Sequence, residues 1–137
     1  MTERGSILVI DDSWLILERI KSSLGADGYQ VRTTTGPAGA ARHLPSVDLA
    51  IVDFHMPGAN GREVLAELRA VAPHSSCLFY LYTSDTDVGR RHADHGFDGA
   101  FLRKGEEEAL LPQVNAVFRT IHMRKLAEKM RLRREGF

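Results

Sequence analysis

The chain has one cysteine, one tryptophan, five prolines and no net charge among its 137 residues. Each scarcity excludes something. A single thiol, Cys77, forms no internal disulfide, and its place inside a strand-like run makes it a small core residue. The longest apolar runs, such as Ser6 to Ile10 and Cys77 to Tyr82, fall far short of the roughly 20 residues that cross a bilayer. Met1-Thr2-Glu3-Arg4 precedes no extended apolar segment, so no secretory signal is expected; the chain reads as cytoplasmic, with no membrane partner. His92 and His95 stand three apart, but no cysteine or acid completes a zinc set around them, and solvent exposure is expected. Repeats and low-complexity stretches are absent from the sequence. Hydrophobic residues make up 43% and charged ones 26%, which suits one domain with a substantial core and leaves no room for a second.

Neutrality overall hides an asymmetry. From Arg119 onward, seven basic residues face only Glu128 and Glu135, a net +5 that leaves −5 on the preceding part. The pattern is that of an acidic body with a basic tail, and it bears on partners rather than on fold. No recognition motif accompanies the basic charge, so nucleic acid is not an expected partner.

Short apolar runs alternate with amphipathic segments. Ser6 to Asp11 reads as a buried strand, followed by Trp14, Leu15, Leu17, Ile20 and Leu24 at helical spacing up to Gly25–Gly28. Tyr29 to Thr34 is a second strand, and Pro37 to Leu44 a short helix opened by proline. Asp48 to Asp53 is a third strand. Gly61 to Val71, with Val64, Leu65, Leu68 and Val71 on one face, is a third helix that ends before Pro73. Ser76 to Tyr82 is a fourth strand, Asp85 to His95 a short polar helix weakened by Gly89, and Gly99 to Leu102 a brief fifth strand. Glu106 to at least Ile121 is a fifth helix, with acids in its first turn and Leu110, Val114, Val117, Phe118 and Ile121 inward. Strands alternating with helices predict a doubly wound α/β fold whose parallel sheet is covered on both faces.

Chemistry collects at the strand ends. Asp11 and Asp12 close the first run, Asp53 closes the third before a Pro57-Gly58 turn, and Thr83 and Lys104 follow the fourth and fifth. In an open parallel sheet these ends share one crevice, where such folds build their sites. Taken singly, each residue has a plainer reading: Asp11-Asp12 and Thr83 as helix caps, Asp53 as a turn stabiliser, Lys104 as a solvated amine. Their joint occurrence, in order, on four strand ends argues otherwise.

On these residues the chain resembles the receiver domains of two-component response regulators, including the single-domain chemotaxis type, over positions 6 to about 120. The resemblance implies a flavodoxin-like (βα)5 fold with strand order 2-1-3-4-5. It also implies that Asp53 accepts a phosphoryl group, that Asp11 and Asp12 hold magnesium or manganese together with Asp53 and the backbone carbonyl of His55, and that Thr83 and Lys104 contact the phosphoryl group. Thr83 and Phe101 would form the switch, with output through the fourth helix, fifth strand and fifth helix. His55 and Asp85 would tune the lifetime of the phosphate. The implied partners are a sensor histidine kinase or phosphotransfer protein and a downstream protein; the chain is not expected to be a turnover enzyme. Magnesium suits such a set because it prefers oxygen ligands and retains waters.

One departure stands out. Gly105 follows the lysine where the family usually has a proline joined by a cis peptide, so a trans Lys104-Gly105 bond is expected, and the reach of Lys104 is in question. Asn60 is expected to cap the third helix. Residues 1–121 are taken as the receiver and 122–137 as a basic helical extension, which could pair with a second copy, dock on an acidic partner or lead to an output module. Met123, Leu126 and Met130 are out of phase with the stripe of the fifth helix. Two rivals are weighed. A magnesium phosphatase would need an Asp-x-Asp arrangement, which Asp11-Asp12-Ser13 lacks; a receiver-fold interaction module that works without phosphorylation is the stronger alternative.

Overall fold

A computed structural model describes residues 4–56, 59–72 and 76–136. Five parallel strands, β1 (Gly5–Ile10), β2 (Tyr29–Thr34), β3 (Leu49–Asp53), β4 (Leu78–Tyr82) and β5 (Gly99–Phe101), form one sheet in the order β2-β1-β3-β4-β5. The helices are α1 (Trp14–Ala26), α2 (Gly61–Val71), α3 (Thr86–Arg90) and α4 (Glu107–Arg134), with 3-10 segments at Ala41–Ser46 and His92–His95. Alternation with period two explains the layering. Leu8, Ile10, Ala50 and Val52 pack against Val64, Leu65 and Leu68 of α2, while Ile7, Val9, Leu49 and Ile51 face Leu17, Ile20 and Leu24 of α1 and Leu110, Val114 and Phe118 of α4. The strands are therefore apolar on both sides, as a parallel sheet between helices requires.

The expected second helix is a correction. Residues 37–40 form bends and turns, and a 3-10 segment follows at Ala41–Ser46. Thr34 donates its hydroxyl to the Gly36 carbonyl at 3.0 Å, and Gly39 adopts φ 77°, a left-handed conformation that interrupts a right-handed helix before it can start. Three apolar residues of the helical stripes are outside the core: Trp14, Leu15 and Val71 are 65%, 59% and 61% exposed. Trp14 and Leu15 lie in the first turn of α1 and Val71 in the last of α2, where a helix end runs past the sheet. The weak segment at 85–95 is a short helix and a 3-10 turn, in keeping with its polar pattern. Pro57-Gly58 and Pro73 lie outside the described residues.

The fifth helix is longer than its apolar stripe. α4 runs unbroken to Arg134, about 42 Å, but its buried positions end at Ile121. Just beyond, Lys125 reaches Asp48 at 2.9 Å and the His122 ring meets the Arg4 carbonyl oxygen at 3.1 Å. Asp48 sits at the start of β3 and also accepts from the Ser6 N–H at 3.1 Å. Burial alone would raise its pKa, but the Lys125 and Ser6 donors outweigh burial and hold it below 3.8. A carboxylate depressed in this way adds stability that is complete above its unfolded value and is lost as pH falls through the folded value. Asp48→Asn is accordingly expected to lower stability at neutral pH by about 1 kcal/mol and to narrow the gap from the parent in acid. Chemical denaturation at pH 7 and pH 3 checks both.

Candidate functional site

Register brings the acids together. Ile10 pairs with Val52, so Asp11 follows β1 directly beside Asp53 at the end of β3, at the point where the chain leaves the sheet in opposite directions. Asp11, Asp12 and Asp53 each place a carboxylate oxygen within 4.8 Å of the others; Asp11 and Asp53 are buried and Asp12 is exposed. Lys104, on the loop after β5, sends its ammonium across β4 to both buried acids, 2.8 Å from Asp11 Oδ2 and 2.5 Å from Asp53 Oδ1. Glycine at 105 thus does not cost Lys104 its reach. No cis peptide occurs among the described residues, and the Lys104-Gly105 bond is trans as expected.

Local structure holds these groups in place. Ser13 caps α1 by accepting from the Ile16 N–H at 3.3 Å, while its own N–H donates to Asp11 Oδ1 at 2.8 Å. One Asp11 oxygen therefore orients the start of α1 and the other meets Lys104. The His55 N–H donates to Asp53 Oδ1 at 3.4 Å, and residues 55–56 then pair antiparallel with 59–60. Asn60 caps α2, accepting from the Glu63 N–H at 2.9 Å. At Gly61 a Cβ would stand 2.9 Å from the Phe54 Cα and 3.0 Å from the Asp53 carbonyl oxygen, so the return of the chain beneath Asp53 requires glycine.

Charge is unbalanced at the site. Burial raises the pKa of Asp53, the negative charge of Asp11 adds to that, and Lys104 opposes it. For Lys104, burial would favour the neutral amine, but its contacts with Asp11 and Asp53 outweigh burial and raise its pKa. One cation faces three carboxylates, and the remaining negative charge, carried entirely on oxygen, suits a hard divalent ion such as magnesium. Asp53 itself is only 4% exposed, covered by the ammonium.

Other expected site residues fall differently. Thr83 is buried at the end of β4, and its hydroxyl accepts from the Asp85 N–H at 3.0 Å, leaving its proton free to donate. Asp85 is exposed and caps α3, accepting from the Asp87 and Val88 N–H groups at 3.0 and 3.2 Å. The exposed His55 lies edge-on to Phe54, with ring centroids 4.9 Å apart. Phe101 is fully inward already, stacked on Tyr80 at 4.7 Å. Two groups around Lys104 carried no sequence signal: Gln113, which bonds the Leu102 backbone, and Tyr82, whose buried phenol is pushed up to about 12 chiefly by burial, the Gly105 N–H opposing.

The model of the response regulator receiver domain family matches residues 7–115. The response regulator MprA of Mycobacterium bovis is 30% identical over 131 residues, 93% of this chain and 56% of that protein. A cyclic di-GMP phosphodiesterase of Thermotoga maritima is 26% identical over 91% of this chain and 36% of its own length. The chain thus spans about a third to just over half of the curated relatives it matches. Among solved structures, a receiver domain protein from Clostridium thermocellum superposes with a TM-score of 0.67 at 26% identity, over 87% of this chain and 98% of that one. The chemotaxis response regulator CheY4 of Vibrio cholerae shares the fold, with a TM-score of 0.69 at 24% identity over 85% and 99% of the two chains.

The electrostatics make a direct prediction. Replacing Lys104 by Met removes the cation that lowers the Asp53 pKa, so that pKa is expected to rise further above the ordinary carboxylate range. Carbon-13 NMR titration of the side-chain carboxyls in metal-free protein reads the shift. An unmoved or lowered Asp53 value in Lys104→Met would contradict the assigned balance.

Proposed function

The chain belongs to the response regulator receiver domain family and acts in two-component signalling, and from that premise we propose that Asp53 is its phosphoacceptor. The observation that carries this reading is the Lys104 ammonium held by Asp11 and Asp53 beside the exposed Asp12. A carboxylate oxygen of Asp53 attacks the phosphorus of a phosphohistidine on a sensor kinase or phosphotransfer protein. An O–P bond forms as the N–P bond to the imidazole breaks. Asp11, Asp12, Asp53 and the His55 backbone carbonyl would hold magnesium or manganese, which supplies charge neutralisation at the phosphoryl oxygens.

Lys104 trades its contact with Asp53 for one with a phosphoryl oxygen, which uncovers the nucleophile and keeps the charge compensated. The Thr83 hydroxyl donates to another phosphoryl oxygen. Since Thr83 also holds the Asp85 N–H, its movement pulls on the start of α3 and so biases the face formed by α3, β5 and α4, where a downstream protein docks. Each Asp53 takes one phosphoryl group and loses it to water; the protein is a cytoplasmic switch and not a turnover enzyme. Residues 1–121 form the receiver, and 122–137 a basic helical extension.

Incubation with acetyl phosphate and magnesium, followed by intact-mass measurement, tests the reading. The parent is expected to gain one phosphoryl group, and Asp53→Asn or metal-chelated protein none. The rival reading is an interaction module that needs no phosphate. A parent protein that gains no mass would overturn the phosphoacceptor reading and leave that rival in its place.

His55 and Asp85 flank the proposed phosphoryl position in sequence and are both exposed. His55→Ala and Asp85→Ala are expected to change the rate of phosphoryl loss several-fold. Equal rates in the parent and both variants would remove them from that role.

A further inference from the structure

Lys104 leaves the edge strand on a loop that glycine makes permissive, yet its ammonium is held at two carboxylates. Something other than the lysine must fix that loop. Arg103, immediately before it, has φ 64°, the one non-glycine residue with positive φ among those described, and Gly105 has φ 99° with open space around it. Lys104 therefore sits between two left-handed residues, a conformation with an intrinsic cost.

Two side-chain fastenings bracket the turn. On its outer side, Arg103 donates to both carboxylate oxygens of Glu106, at 3.2 and 2.7 Å, while the Glu106 N–H donates to the Arg103 carbonyl at 3.0 Å. Glu106 precedes α4 but makes no side-chain cap, its carboxylate being engaged by Arg103 instead. On the inner side, Gln113 reaches back from α4. Its carbonyl oxygen accepts from the Leu102 N–H at 3.0 Å and its amide nitrogen donates to the Leu102 carbonyl at 3.1 Å and to the Ala109 carbonyl at 2.9 Å. A primary amide pairing with both the N–H and the C=O of one residue imitates a neighbouring peptide group. Among the described residues β5 is an edge strand, and Gln113 supplies a pairing on its open side at the point where the Lys104 loop departs.

We propose that Gln113 is a positioning residue for Lys104: its side-chain amide clamps the Leu102 backbone to α4 and, with the Arg103–Glu106 fork, fixes the glycine-containing loop that presents the ammonium to Asp53. The inference rests on the phosphoacceptor reading given above. The Arg103–Glu106 pair is well exposed, and such pairs add little to global stability; its effect is on the shape of the turn. Gln113, by contrast, is partly buried and anchored by three hydrogen bonds.

The test is a double-mutant cycle on the full chain. Gln113→Ala is placed in a helix, where alanine is well tolerated, and Gln113→Glu retains the acceptor for the Leu102 N–H but not the donor. With acetyl phosphate and magnesium, Gln113→Ala is expected to slow Asp53 phosphorylation about tenfold, since misplacing a catalytic group by about an ångström has effects of that order or larger, and Gln113→Glu at least as much, since its carboxylate would face the Leu102 and Ala109 carbonyls. Rates are compared at saturating magnesium, with binding followed by the fluorescence of the single tryptophan, Trp14, two residues from Asp12, so that a change in metal occupancy does not enter the comparison. In a Lys104→Ala background the Gln113 substitution should add nothing. An unaffected rate in Gln113→Ala, or an equal loss in the Lys104→Ala background, overturns the positioning role while leaving the phosphoacceptor intact. A parent protein that takes no phosphoryl group overturns both.

Discussion

One ammonium held against two buried carboxylates organises this molecule. Asp11 and Asp53 come from neighbouring central strands and Lys104 from the far edge, so their contact spans the carboxyl ends of β1, β3, β4 and β5. Ion pairs of this kind are poor sources of net stability, because desolvating each charge offsets most of the attraction. Removing one partner is a different matter: a lone buried charge costs about 3–5 kcal/mol. The cluster is thus fixed in place without adding much to the fold. Its excess negative charge is a standing demand for another positive centre, and Asp12, exposed at its rim, leaves the side open from which a cation can enter.

Under the proposed function, the cover over Asp53 decides what has to move. A carboxylate beneath an ammonium and almost closed to solvent is shielded from phosphorus, since its charge is already compensated and its oxygens are covered. The proposed phosphoryl transfer requires the lysine to shift, and a buried ammonium exchanges one carboxylate most readily for an equivalent anion. The phosphoryl group is such an anion. Ground-state protection and transition-state stabilisation then come from the same amine, with the difference between them set by where the loop allows it to point. A loop without proline leaves that control to whatever else grips its backbone.

Much of this was legible in the sequence, for reasons that differ by element. The strands could be read because burial on both faces leaves little choice but continuous aliphatic runs, and α2 because its stripe and its Asn60 cap agree. The second helix failed where local chemistry competes with propensity: the Thr34–Gly36 hydrogen bond and the left-handed Gly39 override an alanine-rich stretch. Periodicity grouped Trp14, Leu15 and Val71 with residues that prove to be buried, because it reports a face and is blind to where a helix outruns its sheet. The acids, threonine and lysine were recoverable from their order on strand ends. Gln113 was not, because a glutamine on a helix reads as a surface residue until the backbone it meets, eleven residues back, is known to be an unpaired strand edge.

The end of α4 obeys a related rule. An isolated helix as short as its last turns would be marginal in water, since nucleation outweighs the few bonds gained. Here nucleation has already occurred: Leu110, Val114, Phe118 and Ile121 hold the helix against the sheet, and the Lys125–Asp48 and His122–Arg4 contacts anchor it once more past the last buried turn. Each further residue then needs only to propagate. Arg131, paired with Glu128 on one side and Glu135 on the other, supports that propagation at helical spacing. The extension keeps its shape through continuity with the receiver. Met123, Leu126 and Met130 are left exposed on its surface.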